Sequence, residues 1–122
     1  MENVRCICLM RELMISIRDL EQQLMESAQC DLNQAMALCV ISGESVSASE
    51  VSARIGLLPA HTSKLLSAVE DRGWIGRRLG REDKRKVFFS LTRKGEQKLA
   101  EIRSLNLSVP ELLQPLFEGA EV

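Results

Sequence analysis

Trp74-Ile75-Gly76-Arg77-Arg78-Leu79, then Gly80-Arg81-Glu82-Asp83-Lys84, then Arg85-Lys86-Val87-Phe88-Phe89-Ser90-Leu91 is the stretch that decides the fold. Its two flanks read with the period of two of β-strands, and its middle is a charged, glycine-led tip, so the whole predicts a β-hairpin. On the second strand Val87, Phe89 and Leu91 share one face, with Lys86, Phe88 and Ser90 on the other. Just upstream the apolar period becomes helical. A helix is expected over Pro59 to Arg72, with Leu65, Leu66 and Val69 as its inner stripe. Pro59 suits its first position, where a missing N–H costs nothing, and Gly73 suits its left-handed cap.

Working outward, Ser47-Ala48-Ser49-Glu50 is a capping box that opens a short helix, Ala48 to Ile55, with Val51 and Ile55 as apolar contacts. Gly56-Leu57-Leu58 is a tight turn between the two helices. Short helix, glycine turn, second helix and basic hairpin form the order of a winged helix-turn-helix. Asp31 and Gln34 cap another helix running to about Ser42, with Leu32, Ala35, Cys39 and Val40 expected inward. Thr92 caps a fifth helix to about Ser104, with Leu99 and Ile102 inward. Pro110 begins a last amphipathic piece carrying Leu112, Leu113, Leu116 and Phe117.

The N-terminal segment, Val4 to Gln29, repeats Leu9, Leu13, Ile17, Leu20 and Leu24 along one helical face. Ile7, Met10 and Met14 widen the apolar arc, so this helix needs cover on more than one side. That cover is either its own domain or a second subunit. The expected fold class is mainly α with a small β-hairpin wing: a winged helix-turn-helix with N- and C-terminal dimerisation helices. One domain is expected over residues 1–122, with its core at 31–92 and dimerisation helices at 1–29 and 93–122.

With 122 residues the chain has room for one domain, and its net charge of −1 hides a strong asymmetry. Between Arg72 and Lys98 there are ten basic and three acidic residues, a net of +7 against −8 elsewhere. A localised positive surface on an acidic scaffold suits a polyanion. Aromatic residues are 3% of the chain, with no Tyr, which argues against stacking platforms for single strands. His61 is the only histidine, and no glycine-rich phosphate loop is present, so no enzyme activity, cofactor or metal site is expected. The first residues lack a signal-peptide layout, and no apolar run approaches the roughly 20 residues of a membrane span. The expectation is a cytoplasmic protein with Cys6, Cys8, Cys30 and Cys39 reduced. Cys6 and Cys8 diverge by roughly 200° on a helix and cannot chelate one metal together. Burial as small apolar residues is expected, with Cys39 in the core.

On the second helix of the pair, Ala60, His61, Ser63, Lys64 and Ser67 lie off the Leu65/Val69 stripe and face away from the core. His61 and Lys64 can donate to base-edge acceptors, Ser63 and Ser67 can bond bases or phosphates, and Ala60 can meet a thymine methyl. The hairpin tip, with Arg81, Lys84 and Arg85, would reach the adjacent backbone or minor groove. Double-stranded DNA is the expected partner. A protein-binding winged-helix module with a basic wing is the alternative from another class.

Three runs carry a resemblance: Ser49-Glu50-Val51-Ser52-Ala53-Arg54-Ile55-Gly56, Val69-Glu70-Asp71-Arg72-Gly73-Trp74-Ile75, and Arg78 to Val87 with Leu91-Thr92-Arg93-Lys94-Gly95. They resemble the MarR family of bacterial transcription regulators, whose wing carries an Asp-x-Arg followed by Leu-Thr-x-x-Gly. The resemblance implies a homodimeric repressor on a pseudo-palindromic operator and a small-molecule effector, often an anionic aromatic. It implies that Arg85 enters or flanks the minor groove. It also makes Asp83 the wing anchor through Arg77 or Arg81, and Arg77 joins the residues expected at DNA. Family members close the dimer with the first, fifth and a long sixth helix. Here Pro110 interrupts early, so the first helix is expected to carry more of the pairing.

Overall fold

Three side-chain caps start three of the helices. The Asp31 carboxylate accepts the Gln34 N–H at 2.8 Å, and the Gln34 side chain accepts the Asp31 N–H at 3.2 Å. Ser47 and Glu50 repeat the arrangement at 3.2 and 3.4 Å, and Thr92 Oγ1 accepts the Gly95 N–H at 3.0 Å. Each cap satisfies helix-end donors and contributes about 1 kcal/mol. In the computed structural model, which describes residues 3–118, the elements are α1 (Asn3–Ala28), α2 (Leu32–Ile41), β1 (Val46–Ser47), α3 (Ala48–Ile55) and α4 (Pro59–Asp71). There follow β2 (Ile75–Leu79), β3 (Val87–Leu91), α5 (Arg93–Arg103), a 3₁₀ turn at Glu111–Leu113 and α6 (Gln114–Phe117). The outermost parts of the expected 1–29 and 93–122 segments, residues 1–2 and 119–122, lie outside the described residues.

The sheet has three strands in the order β1-β3-β2, all antiparallel. β2 and β3 form the expected hairpin, with Arg77 opposite Phe89 and Leu79 opposite Val87. They are shorter than the period of two suggests: Trp74, Arg85 and Lys86 fall outside them. β1 was not expected. Two residues are too few to display a period, and Val46 is extended because it pairs with Phe89 on β3.

The core gathers Leu38 and Ile41 of α2, Val51 of α3, Leu65, Leu66 and Val69 of α4, then Trp74, Ile75, Phe89 and Leu99. The inner face of α2 differs from expectation. Ala35 is buried, but Leu32 and Val40 are half-buried, and Cys39 is exposed rather than in the core. Ala37, Leu38 and Ile41 take the central positions. The segment is apolar almost all round, so its sequence period could not point to one face. Cys8 is likewise exposed and Cys6 half-buried; only Cys30 is fully buried, and desolvation pushes its thiol pKa up.

The long α1 packs on its own domain only toward its C-terminal end. Leu24 and Ala28 are buried and Leu13 and Leu20 half-buried, but Leu9 and Ile17 of the expected inner face are exposed, as are Ile7, Met10 and Met14. The C-terminal segment turns back onto this helix. The Gln23 side chain donates to the Ser108 carbonyl and accepts the Ser108 N–H, each at 2.8 Å, and Leu113 is buried.

The hairpin is closed at its base by backbone contacts. Thr92 N–H donates to the Trp74 carbonyl at 3.0 Å, and Thr92 Oγ1 donates to the Gly73 carbonyl at 2.6 Å. The first turn of α5 then presses so close that a Cβ at position 95 would overlap the Trp74 carbonyl oxygen. Gly95→Ala is therefore expected to lower stability by about 3 kcal/mol, since rigid backbone must move to admit the methyl. Gly76→Ala, whose methyl would meet only the edge of Thr92, is expected to stay within about 1 kcal/mol of the parent. Urea unfolding followed by helical circular dichroism measures both; equal midpoints for the two variants would contradict the packing.

Candidate nucleic-acid interface

The turn between α3 and α4 is held by its own short-range bonds. Gly56 sits at φ +81°, which favours glycine, and its N–H donates to the Ser52 carbonyl at 2.9 Å. Ser52 Oγ donates in turn to the Leu57 carbonyl, and Pro59 opens α4. Thr62 is buried without cost because its hydroxyl donates to the Leu58 carbonyl one turn back, at 3.1 Å. With Thr62, Leu65, Leu66 and Val69 turned inward, the opposite face of α4 is free. Ala60, His61, Ser63, Lys64 and Ser67 are all exposed on it.

Ser63 and Ser67 line one wall of a cleft of about 500 Å³ between the start of α3, the outer face of α4 and the wing strands. Arg77, Lys86 and Phe88 supply the facing wall, and Ser49 closes the end. The helix and the wing thus present one continuous polar and basic surface. Lys86 belongs to it although it was not among the expected contact residues. It lies just before β3, at the base of the tip, where no strand period marks it.

Arg81, Lys84 and Arg85 form a second station at the hairpin tip, all exposed and outside the cleft. Gly80 N–H donates to the Lys86 carbonyl at 2.8 Å, and Lys86 N–H to the Asp83 carbonyl at 3.1 Å, closing the tip. Asp83 anchors this turn, but not through Arg77 or Arg81. Its Oδ1 accepts the Arg85 backbone N–H at 3.0 Å and the Arg85 Nε at 3.2 Å. An aspartate two residues before an amide reaches it within its own turn, ahead of any partner across the hairpin. The Arg85 side chain remains 92% exposed, so pairing with Asp83 aims it without hiding it. Arg77 is engaged elsewhere: its Nε lies 2.9 and 3.1 Å from the two carboxylate oxygens of Glu70.

Solved structures share this fold. The transcriptional regulator BldR from Sulfolobus solfataricus superposes with a TM-score of 0.73 at 20% identity, over 99% of this chain and 88% of its own. Apo wild-type MarR from E. coli gives 0.72 at 21% identity, over 98% and 86%. This is the MarR fold. A mutant E. coli MarR complexed with operator DNA also shares it, with a TM-score of 0.74 at 20% identity over 94% of each chain. No family model and no curated protein matches the sequence. The likeness to the MarR fold covers the helix-turn-helix, the wing and both terminal segments.

Within that fold the wing turn is electrostatically tuned. The Arg85 backbone N–H, then the Arg85 guanidinium, hold the Asp83 carboxyl pKa below its ordinary value. A depressed carboxylate pKa means the contact is complete at neutral pH and is lost as pH falls through the folded-state pKa. Followed by NMR, the Asp83 carboxyl carbon is expected to titrate below the ordinary carboxylate range, with the Arg85 amide shifting at the same midpoint. An Asp83 titration at the ordinary value, with an unresponsive Arg85 amide, would show that the anchor is not made in solution.

Proposed function

We propose that this protein is a sequence-specific double-stranded DNA-binding transcriptional regulator, acting as a homodimeric repressor. The observation that carries this is the continuity of the exposed α4 face with the basic wing through one cleft, in a fold that also appears bound to operator DNA. A helix carrying Ala60, His61, Ser63, Lys64 and Ser67 has the slim, hydrogen-bonding outer face that a major groove accepts. The tip cations Arg81, Lys84 and Arg85 then fall on the adjacent backbone or minor groove. The interaction-module alternative has no comparable observation in its favour. No described helix is long and apolar enough to cross a membrane. We place the protein in the cytoplasm, as a binding protein rather than an enzyme.

The homodimer follows from α1. Leu9, Met10, Met14 and Ile17 are exposed along one side of it, and Leu112, Leu116 and Phe117 are exposed on the returning C-terminal segment. Large apolar side chains exposed along one side of a helix mark an interface, and a second copy of the chain is the occupant that yields two reading helices on a pseudo-palindrome. A small-molecule effector would act on that pairing. Sedimentation analysis is expected to return twice the mass of the chain, and Met14→Glu to move the protein toward the monomer; a wild-type monomer at tens of micromolar would refute the pairing.

Selection of bound fragments from genomic DNA, followed by titration of the recovered duplex at several salt concentrations, tests DNA binding itself. Log K is expected to fall with log[salt] at a slope of about −0.9 for each phosphate neutralised. Arg85→Ala is expected to weaken binding roughly 10-fold, in line with the loss of one arginine contact, with the helical circular dichroism unchanged. Negligible affinity for every duplex at low salt would overturn the proposal.

A further inference from the structure

We propose that Arg77 does not contact DNA but sets the angle of the wing against the reading helix through Glu70. The inference rests on the DNA-binding function proposed above and assigns one residue a different task within it. Ladder register carries the argument. Arg77 lies directly opposite Phe89, so the two side chains leave the same face of the hairpin, the face that meets the helices. From there Arg77 reaches back to α4 while its side chain stays partly open to solvent. Glu70, in the last turn of α4, receives its Nε on both carboxylate oxygens at 2.9 and 3.1 Å, while the guanidinium carbon stands 5.4 Å from the centre of the Phe89 ring. Glu70 is the less exposed partner, with 30% of its side chain accessible against 54% for Arg77.

The contact joins two elements that must meet the same duplex. α4 ends at Asp71 and β2 starts at Ile75, so Glu70 and Arg77 flank the turn between helix and wing and brace it from one side. The first cation of the tip, Arg81, lies four residues further along. At about 3.3 Å per residue, a change of ~10° in the hairpin at Arg77 displaces the tip by about 2 Å. That is enough to misplace a phosphate contact. Holding the wing at one angle lets helix and tip bind together, so that the second contact is effectively intramolecular.

Glu70→Gln separates this role from direct contact because the two predict opposite signs. The substitution removes a negative charge near the DNA and releases Arg77. Were Arg77 a phosphate contact held back by Glu70, affinity for the duplex recovered with the wild-type protein would rise or stay level. Positioning predicts a loss, about fivefold, matched by Arg77→Gln and not deepened in the double variant. The charge-swapped pair, Glu70→Arg with Arg77→Glu, is expected to recover most of the affinity. Urea midpoints of every variant, measured alongside, establish that the folded protein is being titrated. Unchanged or tighter binding by Glu70→Gln, or losses that add in the double variant, would overturn the assignment. Failure of the wild-type protein to bind duplex DNA would instead strike the functional proposal beneath it.

Discussion

The contact between Gly95 and the Trp74 carbonyl is the constraint on which the arrangement depends. A β-hairpin standing on its own is only marginally stable in water, and this one needs its apolar face, Ile75 and Phe89, held against the helices. Here the hairpin starts and ends at the same point. Trp74 enters it buried, Thr92 leaves it bonded to both Gly73 and Trp74, and α5 begins within one turn on top of that junction. The close approach requires a residue without a side chain at position 95. Trp74 is fixed from the outside as well: the Arg72 guanidinium stacks over its ring at 3.9 Å and donates to Gln34, the same side chain that caps α2. One junction therefore registers the wing, α4, α2 and α5 against one another.

Electrostatics explains why the wing has to be held so firmly. The positive charge of the chain is concentrated between Arg72 and Lys98, and the members of such a cluster repel one another when no polyanion is present. The fold spaces them by pairing some internally. Arg77 is tied to Glu70 and Arg85 to Asp83, on exposed or half-exposed surface where such a pair orients more than it stabilises, and the largely covered Lys98 is tied to Glu101 at 3.1 Å. Arg81 and Lys84 are carried at the tip on backbone bonds alone. Cations with a side-chain partner and cations held out at the tip thus lie within a few residues of each other, and sequence by itself does not separate the two classes.

How much was legible in the sequence follows the same division. Local signals read true where a residue type has one physical use: Ser47 and Glu50 as a capping box, Gly56 and Gly73 at positive φ, Pro59 at a helix start, Thr92 as a cap. The outer face of α4 was equally accessible, because a clear inner stripe of Leu65, Leu66 and Val69 leaves only one way to turn the rest. Expectation failed where the signal had no contrast. The apolar α2 offered no polar side to exclude, so Cys39 was placed inward and lies exposed. β1 owes its shape to β3 rather than to its own two residues. The partners of Asp83 and Arg77 were assigned wrongly because both depend on which side of a tight hairpin each side chain leaves, a geometry set by register rather than composition.

Those same registers connect the far end of the molecule to the outer face of α4 and the wing. α1 packs on α5 and on the returning C-terminal segment, and α5 packs on α2 and β3. Through Gly95 and Thr92, α5 also bears on the base of the wing. A second copy seated on Leu9, Met10, Met14 and Ile17 would therefore grip a helix continuous, by rigid contacts, with the element that aims Arg77 and the tip. Close-packed interiors of this kind shift between discrete arrangements rather than yielding smoothly. It follows that anything altering the pairing of two α1 helices must change the separation of the two reading helices. In the dimer proposed above, that separation and the angle of each wing are the two quantities through which a change at α1 would reach the outer face of α4.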